Sequence, residues 1–311
     1  MSTAPPAVHL GMVTWNRLHL TRIALESLLS LTPPGYGLTI VDNGSQDGTQ
    51  EYLQETAARY PHIRLKLLSR NMGIGVASNL AWDDAAQADF YVKIDNDIEI
   101  LSPQWLARLL APALEHGIWL TAYRLCAWHG TSQDVLLLAD GGMARITSAC
   151  GGGCIAIPQR THEKLGFWNE GYGRYGYEDV DYSWRADFSA LSMASLEPDG
   201  LVRHLGYAPG MVDAQHEADK KTSIASRLSG ETAWHCYRLL FHHGLLPLYM
   251  GRKYLPAEKG GLFRFTLDPG HKAVQKLLND LVRTIPMENE GNVTRMDLRA
   301  WKDREAEHES H

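Results

Sequence analysis

The chain runs to 311 residues, of which 44% are hydrophobic and 21% charged, with a formal net charge of -6. That length buries the core of one large domain, or of one domain with an extension, and the acidic balance excludes nucleic acid as a main partner. No window is apolar for long enough to span a bilayer, and the N-terminal MSTAPPAVHL lacks the basic and apolar regions of a secretion signal, so the expected location is the cytoplasm.

Residues Val8–Thr14 read as an apolar strand, followed by a helical spacing of Leu20, Ile23, Ala24, Leu28 and Leu31. Pro33-Pro34-Gly35 interrupts the chain, and Leu38–Val41 gives a second strand. Gln50–Tyr60 follows a helical pattern, Ile63–Leu68 a third strand, Gly73–Ala88 a further helix and Phe90–Ile94 a fourth strand. This alternation predicts a parallel, doubly wound α/β sheet. Right-handed crossovers then bring the carboxyl ends of its strands to one rim. Past Asp97 the pattern changes: Pro103–Leu114 reads as a helix and Ile118–Tyr123 as a strand. Val135–Ile146 reads as a hairpin turning at Gly141-Gly142, and Gly151-Gly152-Gly153 leads into the strand Cys154–Ile157, so the sheet is expected to be mixed. Beyond Gly210 the composition shifts, with His216, His235, His242 and His243 among Gly- and Pro-rich breaks. Helical stretches near Ser226–His243 and His271–Arg283 predict a domain over 1–210 and a mainly helical extension over 211–311, with a charged, frayed end at Trp301–His311. Cys126, Cys150, Cys154 and Cys236 are irregularly spaced and are expected as reduced, buried thiols.

In an open α/β sheet, ligands bind beyond the carboxyl ends of the strands. Those ends carry Thr14-Trp15-Asn16-Arg17, Asp42-Asn43-Gly44-Ser45, Ser69-Arg70-Asn71 and Asp95-Asn96-Asp97. Any one such loop is explained by the turn preference of Asp, Asn, Ser and Gly; four on one rim point to a binding edge. Asp95 and Asp97 repel each other unless positive charge lies between them. A hard divalent cation that also holds phosphate oxygens meets that need.

Residues 171–185, GYGRYGYEDVDYSWR, run from glycines and aromatics into three acids that open a helix. Acids in a first helical turn are favoured by the helix dipole. The same residues also form a carboxylate base in an aromatic-walled pocket, where flat rings face the C–H faces of a sugar.

In order along the chain, Thr14-Trp15-Asn16-Arg17, the run from Val41 to Thr49, Asn71-Met72-Gly73-Ile74-Gly75 with Asn79, Asp95-Asn96-Asp97 and Glu178-Asp179-Val180-Asp181 follow one another. This series resembles a family 2 glycosyltransferase over roughly residues 7–207; a lone DxD carries little by itself. The resemblance implies the GT-A type of fold, a Rossmann-like mixed sheet flanked by helices, with the C-terminal extension outside the pattern. It implies a nucleoside-diphosphate sugar donor, UDP first among the bases, and Mn2+ or Mg2+ as cofactor. The acceptor is left open among glycan, lipid-linked and small-molecule hydroxyls, reached at the membrane surface where lipid-linked, and a homo-oligomer is compatible.

By the same resemblance, Thr14 with Asn16 or Arg17, and Asp42, hold the nucleotide. Asp42 is placed to accept from a uracil-type N–H, and Arg70 beside Asn71 suits base or phosphates through its planar fork. Asp97 is the direct metal ligand, and Asp95 with Asn96 orients the donor as part of the DxD. His204 matches a further ligand, although a histidine near an apolar strand is as often structural. Asp179 is the implied general base with Glu178 as the alternative, and Gly152, Tyr177 and Glu178 border the acceptor. Asp181 and Arg185 read as an i, i+4 brace. One base opposite the leaving group implies direct displacement with inversion. Two rivals are weighed. A sugar-phosphate nucleotidyltransferase needs a Gly-rich phosphate loop after the first strand, where Thr14-Trp15-Asn16-Arg17-Leu18 has no glycine. A non-catalytic nucleotide- or sugar-binding module has no use for the base. Gly73-Ile74-Gly75 lacks the third glycine of a dinucleotide fold.

Overall fold

The computed structural model describes residues 4–125, 131–174, 176–207, 233–284, 287–290 and 293–296. Cys126, Tyr175, His216 and Trp301–His311 lie outside the described residues, as does the first part of the expected helix near Ser226–His243. In chain order the first half contains β1 (Val8–Thr14), α1 (Leu18–Leu31), β2 (Tyr36–Asp42), α2 (Thr49–Arg59), β3 (Ile63–Leu68), α3 (Ile74–Trp82) and β4 (Phe90–Asp95). There follow β5 (Ile98–Ile100), α4 (Trp105–His116), β6 (Leu120–Tyr123), β7 (Thr131–Leu137), β8 (Met143–Thr147) and β9 (Cys154–Pro158). The described chain continues with α5 (Gln159–Leu165), α6 (Glu178–Phe188), β10 (Met193–Leu196) and β11 (Val202–His204).

A strand apolar on both faces needs cover on both, which is why β1 lies inside the sheet. It pairs in parallel with β2 on one side and β4 on the other, and β2 pairs in parallel with β3. β9 runs antiparallel to β4, so the sheet is mixed as expected. Alternation along β4 divides its side chains. Val92 and Ile94 enter the main core with Leu10, Leu25 and Trp105. Tyr91 enters a second core on the opposite face with Trp82, Trp168 and Tyr182. Helix α3 ends sooner than the expected Gly73–Ala88, at Trp82, and passes into a 3-10 turn over Asp83–Ala85. The carboxylates there are engaged elsewhere, Asp84 by Thr39 and Lys66 and Asp83 by Arg252.

The expectation of a mainly helical extension is corrected by the described residues. Residues 233–242 and α8 (His271–Thr284, after a seventh helix at 233–242) are helical, but between them β12 (Tyr254–Lys259) and β13 (Leu262–Leu267) form a hairpin. Gly260 and Gly261 both take positive φ, 63° and 78°, the two-residue turn that matches the twist of a hairpin. β13 then pairs in parallel with β3 and extends the main sheet, whose order is β12-β13-β3-β2-β1-β4-β9-β6-β10-β8-β7. Buried Glu170 anchors this addition: Arg252 Nε donates to Oε1 at 2.7 Å, and the N–H groups of Lys253 and Tyr254 donate to Oε2 at 2.9 Å. A last antiparallel pair joins β14 (Met287–Glu290) and β15 (Val293–Met296).

Candidate active site at the carboxyl rim

β1, β2, β3 and β4 deliver their carboxyl ends to one edge, and the residues there divide into those that brace the loops and those that face outward. Asp42 belongs to the first group. It has no exposed surface and accepts from Thr14 Oγ1 (2.9 Å), the N–H groups of Gly44 and Ser45 (3.1 and 2.9 Å), Ser45 Oγ (2.5 Å) and Gln50 Nε2 (2.7 Å). Five internal donors occupy both oxygens, so Thr14 and Asp42 build the loop here, and the expected acceptance from a base N–H has no free lone-pair direction. Asn16 braces it too, its N–H donating to Ser45 Oγ and its Oδ1 accepting from Gln46 N–H. Asn71 Oδ1 accepts from Asn43 and from Gly73 N–H, while Arg70 stays exposed at the rim.

The DxD residues part company in the same way. Asn96 is buried, and its Nδ2 donates to Thr21 on α1 at 2.8 Å. Asp97 receives Arg17 Nη1 at 3.2 Å on Oδ2, with Arg17 carried there by consecutive left-handed residues, Asn16 (φ 52°) and Arg17 (φ 58°). Non-glycine residues adopt that conformation at a cost, and such strain concentrates at functional edges. His204 reaches the same carboxylate through strand pairing: β11 runs antiparallel to β5 with His204 opposite Ile98, directly after Asp97. Its Nε2 lies 3.8 Å from Asp97 Oδ1.

Asp95 points another way. Its Oδ1 accepts from Lys93 Nζ at 2.5 Å, and burial together with the Asp97 charge raises its carboxyl above the usual range against the pull of Lys93. Of the expected ligands Asp97, Asp95 and His204, the structure brings Asp97 and His204 side by side, while Asp95 is bonded to Lys93. Among the described residues no three His, Cys, Asp or Glu side chains gather into a ready-made metal cage. The pair nonetheless fits a hard cation: two bonds of about 2.1 Å span a 3.8 Å gap, and a carboxylate plus an imidazole leave positions for phosphate oxygens and water.

Across the rim, Tyr177 (φ 70°) starts α6, with its ring beside those of Tyr172 and Trp234. The first two residues of α6 are Glu178 and Asp179. Asp179 is half-buried: Oδ2 accepts the Gly152 N–H at 2.9 Å and Oδ1 the Val180 N–H at 2.8 Å. Glu178 is buried, its Oε2 meets no hydrogen-bond partner among the described residues, and burial followed by the Asp179 charge pushes its carboxyl up to about 8. Gly152 is glycine for want of room. A Cβ there would stand 3.2 Å from Asp179 Cβ and 3.4 Å from Lys93 Nζ. The brace expected between Asp181 and Arg185 is a fully buried ion pair of 2.7 Å, with Arg185 also donating to the carbonyls of Leu165, Phe167 and Leu248. Sequence reasoning missed Lys93 and Glu170. For Lys93 the signal was present, a lysine inside the apolar run Phe90–Ile94.

Residues 10–125 match the model of the family described as Glycosyl transferase family 2, and the fold is of the GT-A glycosyltransferase type. The chain is 22% identical over 200 residues to the uncharacterized protein y4gI of Sinorhizobium fredii, covering 57% of this chain and 22% of that protein, so it spans less than a quarter of that relative. It is 25% identical over 217 residues to the putative teichuronic acid biosynthesis glycosyltransferase TuaG of Bacillus subtilis, covering 62% of this chain and 84% of TuaG. Its fold is similar to that of the mannosyltransferase PcManGT of Pyrobaculum calidifontis, solved with GDP-Man and Mn2+, at a TM-score of 0.51 and 15% identity over 88% of this chain and 69% of that one. Family and fold agree with the resemblance read from the motifs. Among the described residues no helix is long and apolar enough to cross a membrane.

Proposed function

We propose that this chain is a glycosyltransferase that moves a sugar from a nucleoside-diphosphate sugar to an acceptor hydroxyl, with inversion and with Asp179 as general base. One observation carries the reading. The DxD carboxylate Asp95, through Lys93, and Asp179 of the α6 acid pair are linked by a single residue, Gly152, whose carbonyl accepts from Lys93 at 2.5 Å and whose N–H donates to Asp179 at 2.9 Å. Donor-side and acceptor-side acids thus share one site.

The two acids of α6 divide the labour because their surroundings differ. Glu178, pushed up to about 8 by burial, keeps its proton at neutral pH and is available to donate it in a hydrogen bond to a bound acceptor. Asp179 is half-exposed, accepts from the N–H groups of Gly152 and Val180, and retains lone pairs for an acceptor hydroxyl. Removing that proton as the new bond forms makes a nucleophile of a hydroxyl that is inert at neutral pH. Asp97 and His204 would hold a divalent cation, Mn2+ or Mg2+, beside Arg17. Such a cation, when bound, neutralises the charge that a leaving diphosphate acquires. Arg70 and Arg17 are the rim cations for phosphates. UDP remains the first base to test, with a glycan, lipid-linked or small-molecule acceptor.

The test is Asp179→Asn, which is nearly isosteric. Transfer should fall by about 10²–10⁴-fold while nucleoside-diphosphate affinity stays unchanged. Near-normal transfer by this variant, with transfer lost instead in Glu178→Gln, reverses the two roles.

A further inference from the structure

Lys93 sits in the middle of β4, where the strand is covered on both faces, and only 1% of its surface is exposed. An ammonium in such a place is strongly unfavourable unless it is paired and its hydrogen bonds are met. An apolar residue of similar length fills the same space without that penalty, so packing does not explain a lysine here.

The alternation of a strand puts Lys93 and Asp95 on one face, and Nζ donates to Asp95 Oδ1 and to the Gly152 carbonyl, both at 2.5 Å. Asp95 N–H donates to the neighbouring Gly153 carbonyl at 2.8 Å. On the other side of the same residue, Gly152 N–H donates to Asp179 Oδ2 at 2.9 Å. Lys93 Nζ and Asp179 Oδ2 both lie within 3.5 Å of the point a Gly152 side chain would occupy. Lys93 therefore lies among three acids, Asp95, Glu178 and Asp179. Although burial works against its charge, these acids outweigh burial and hold it above its ordinary range.

We propose that Lys93 is a positioning residue that locks the Gly151–Gly153 loop between the donor-side Asp95 and the base Asp179, and so sets the distance between donor and acceptor. The inference rests on the glycosyltransferase reading above for its catalytic consequence, but the lock itself is a property of the folded chain. Lys93 acts through Gly152, and no motif of the series that led to the family includes it.

The experiment compares the full-length wild type with Lys93→Met, and with Lys93→Gln should the methionine variant fail to fold. Amide hydrogen exchange is followed at Gly152 and Gly153, nucleoside-diphosphate affinity by calorimetry with Mn2+, and kcat with a donor that the wild type turns over. The expected result is at least tenfold faster exchange confined to residues 151–153, kcat lower by tenfold or more, and nucleotide affinity within about twofold of wild type. Unchanged exchange at Gly152 overturns the lock. Faster exchange with kcat unchanged overturns the positioning role, and so does an equal loss of affinity, kcat and melting temperature, which marks a structural lysine only. A wild type that turns over no nucleotide sugar refutes the glycosyltransferase reading instead, and the exchange measurement still decides the lock.

Discussion

Replacing Glu178 by glutamine keeps the shape of the side chain and removes its ability to ionise. In the folded chain this carboxyl is buried, its Oε2 finds no partner among the described residues, and its pKa rises from 4.5 to about 8, first through burial and then through Asp179, with Lys93 opposing. Between those two values the folded chain holds a proton that the unfolded chain has released. Stability must then fall as pH rises through that window, and level off above about 8. Each pH unit is worth at most about 1.4 kcal/mol, so the window amounts to something on the order of 2–4 kcal/mol once the neighbouring rim's solvent is allowed for. Glu178→Gln mimics the protonated form and loses this slope. Urea denaturation at pH 6 and pH 9, which spans about two units of that window, should show the wild type losing about 1–2 kcal/mol more stability than the variant, with the two nearly equal at pH 5. Parallel stability curves for the two proteins would show that Glu178 ionises normally, and the division of roles with Asp179 would fall with it.

Asp97→Ala should abolish the divalent-dependent part of nucleoside-diphosphate binding measured by calorimetry, because only His204 is left of the pair; equal affinity in EDTA and Mn2+ for the wild type refutes the metal assignment. Gly152→Ala places a methyl 3.2 Å from Asp179 Cβ and 3.4 Å from Lys93 Nζ, and should lower kcat at least tenfold with melting temperature shifted by only a few degrees. Arg185→Met leaves Asp181 buried without its cation and strips the carbonyls of Leu165, Phe167 and Leu248 of a donor. It should cost about 3–5 kcal/mol in urea denaturation, and a loss below about 1 kcal/mol contradicts the account of that hub.

Local regularity decided what could be read from the chain. Val8–Thr14 is mostly apolar and Ile63–Leu68 alternates apolar with charged residues, each is bounded by turn residues, and the structure gives those same bounds. The hairpin at Gly141-Gly142 and the helix from Glu178 were equally legible, since turn chemistry and first-turn acids are local signals. The hairpin at Gly260-Gly261 carried the same glycine signal and was overlooked amid the helical pattern around it. What stayed hidden depends on pairing across long separations. Nothing near His204 announces that β11 pairs with β5, which is what brings the ring beside Asp97. Nor does a polar residue at a strand end reveal which way it turns. Asp42 and Asn96 have the composition of ligand contacts and spend their bonds on Thr14, Ser45, Gln50 and Thr21.

The most direct test of the central claim is a donor screen with the wild-type chain, following release of nucleoside diphosphate from UDP-, GDP- and dTDP-sugars with and without Mn2+. The arrangement of Asp97, His204, Arg17 and Asp179 predicts turnover of at least one of these donors that requires the cation and is lost in Asp97→Ala. No diphosphate release from any donor, with Mn2+ and a panel of glycan, lipid-linked and small-molecule acceptors present, would contradict it.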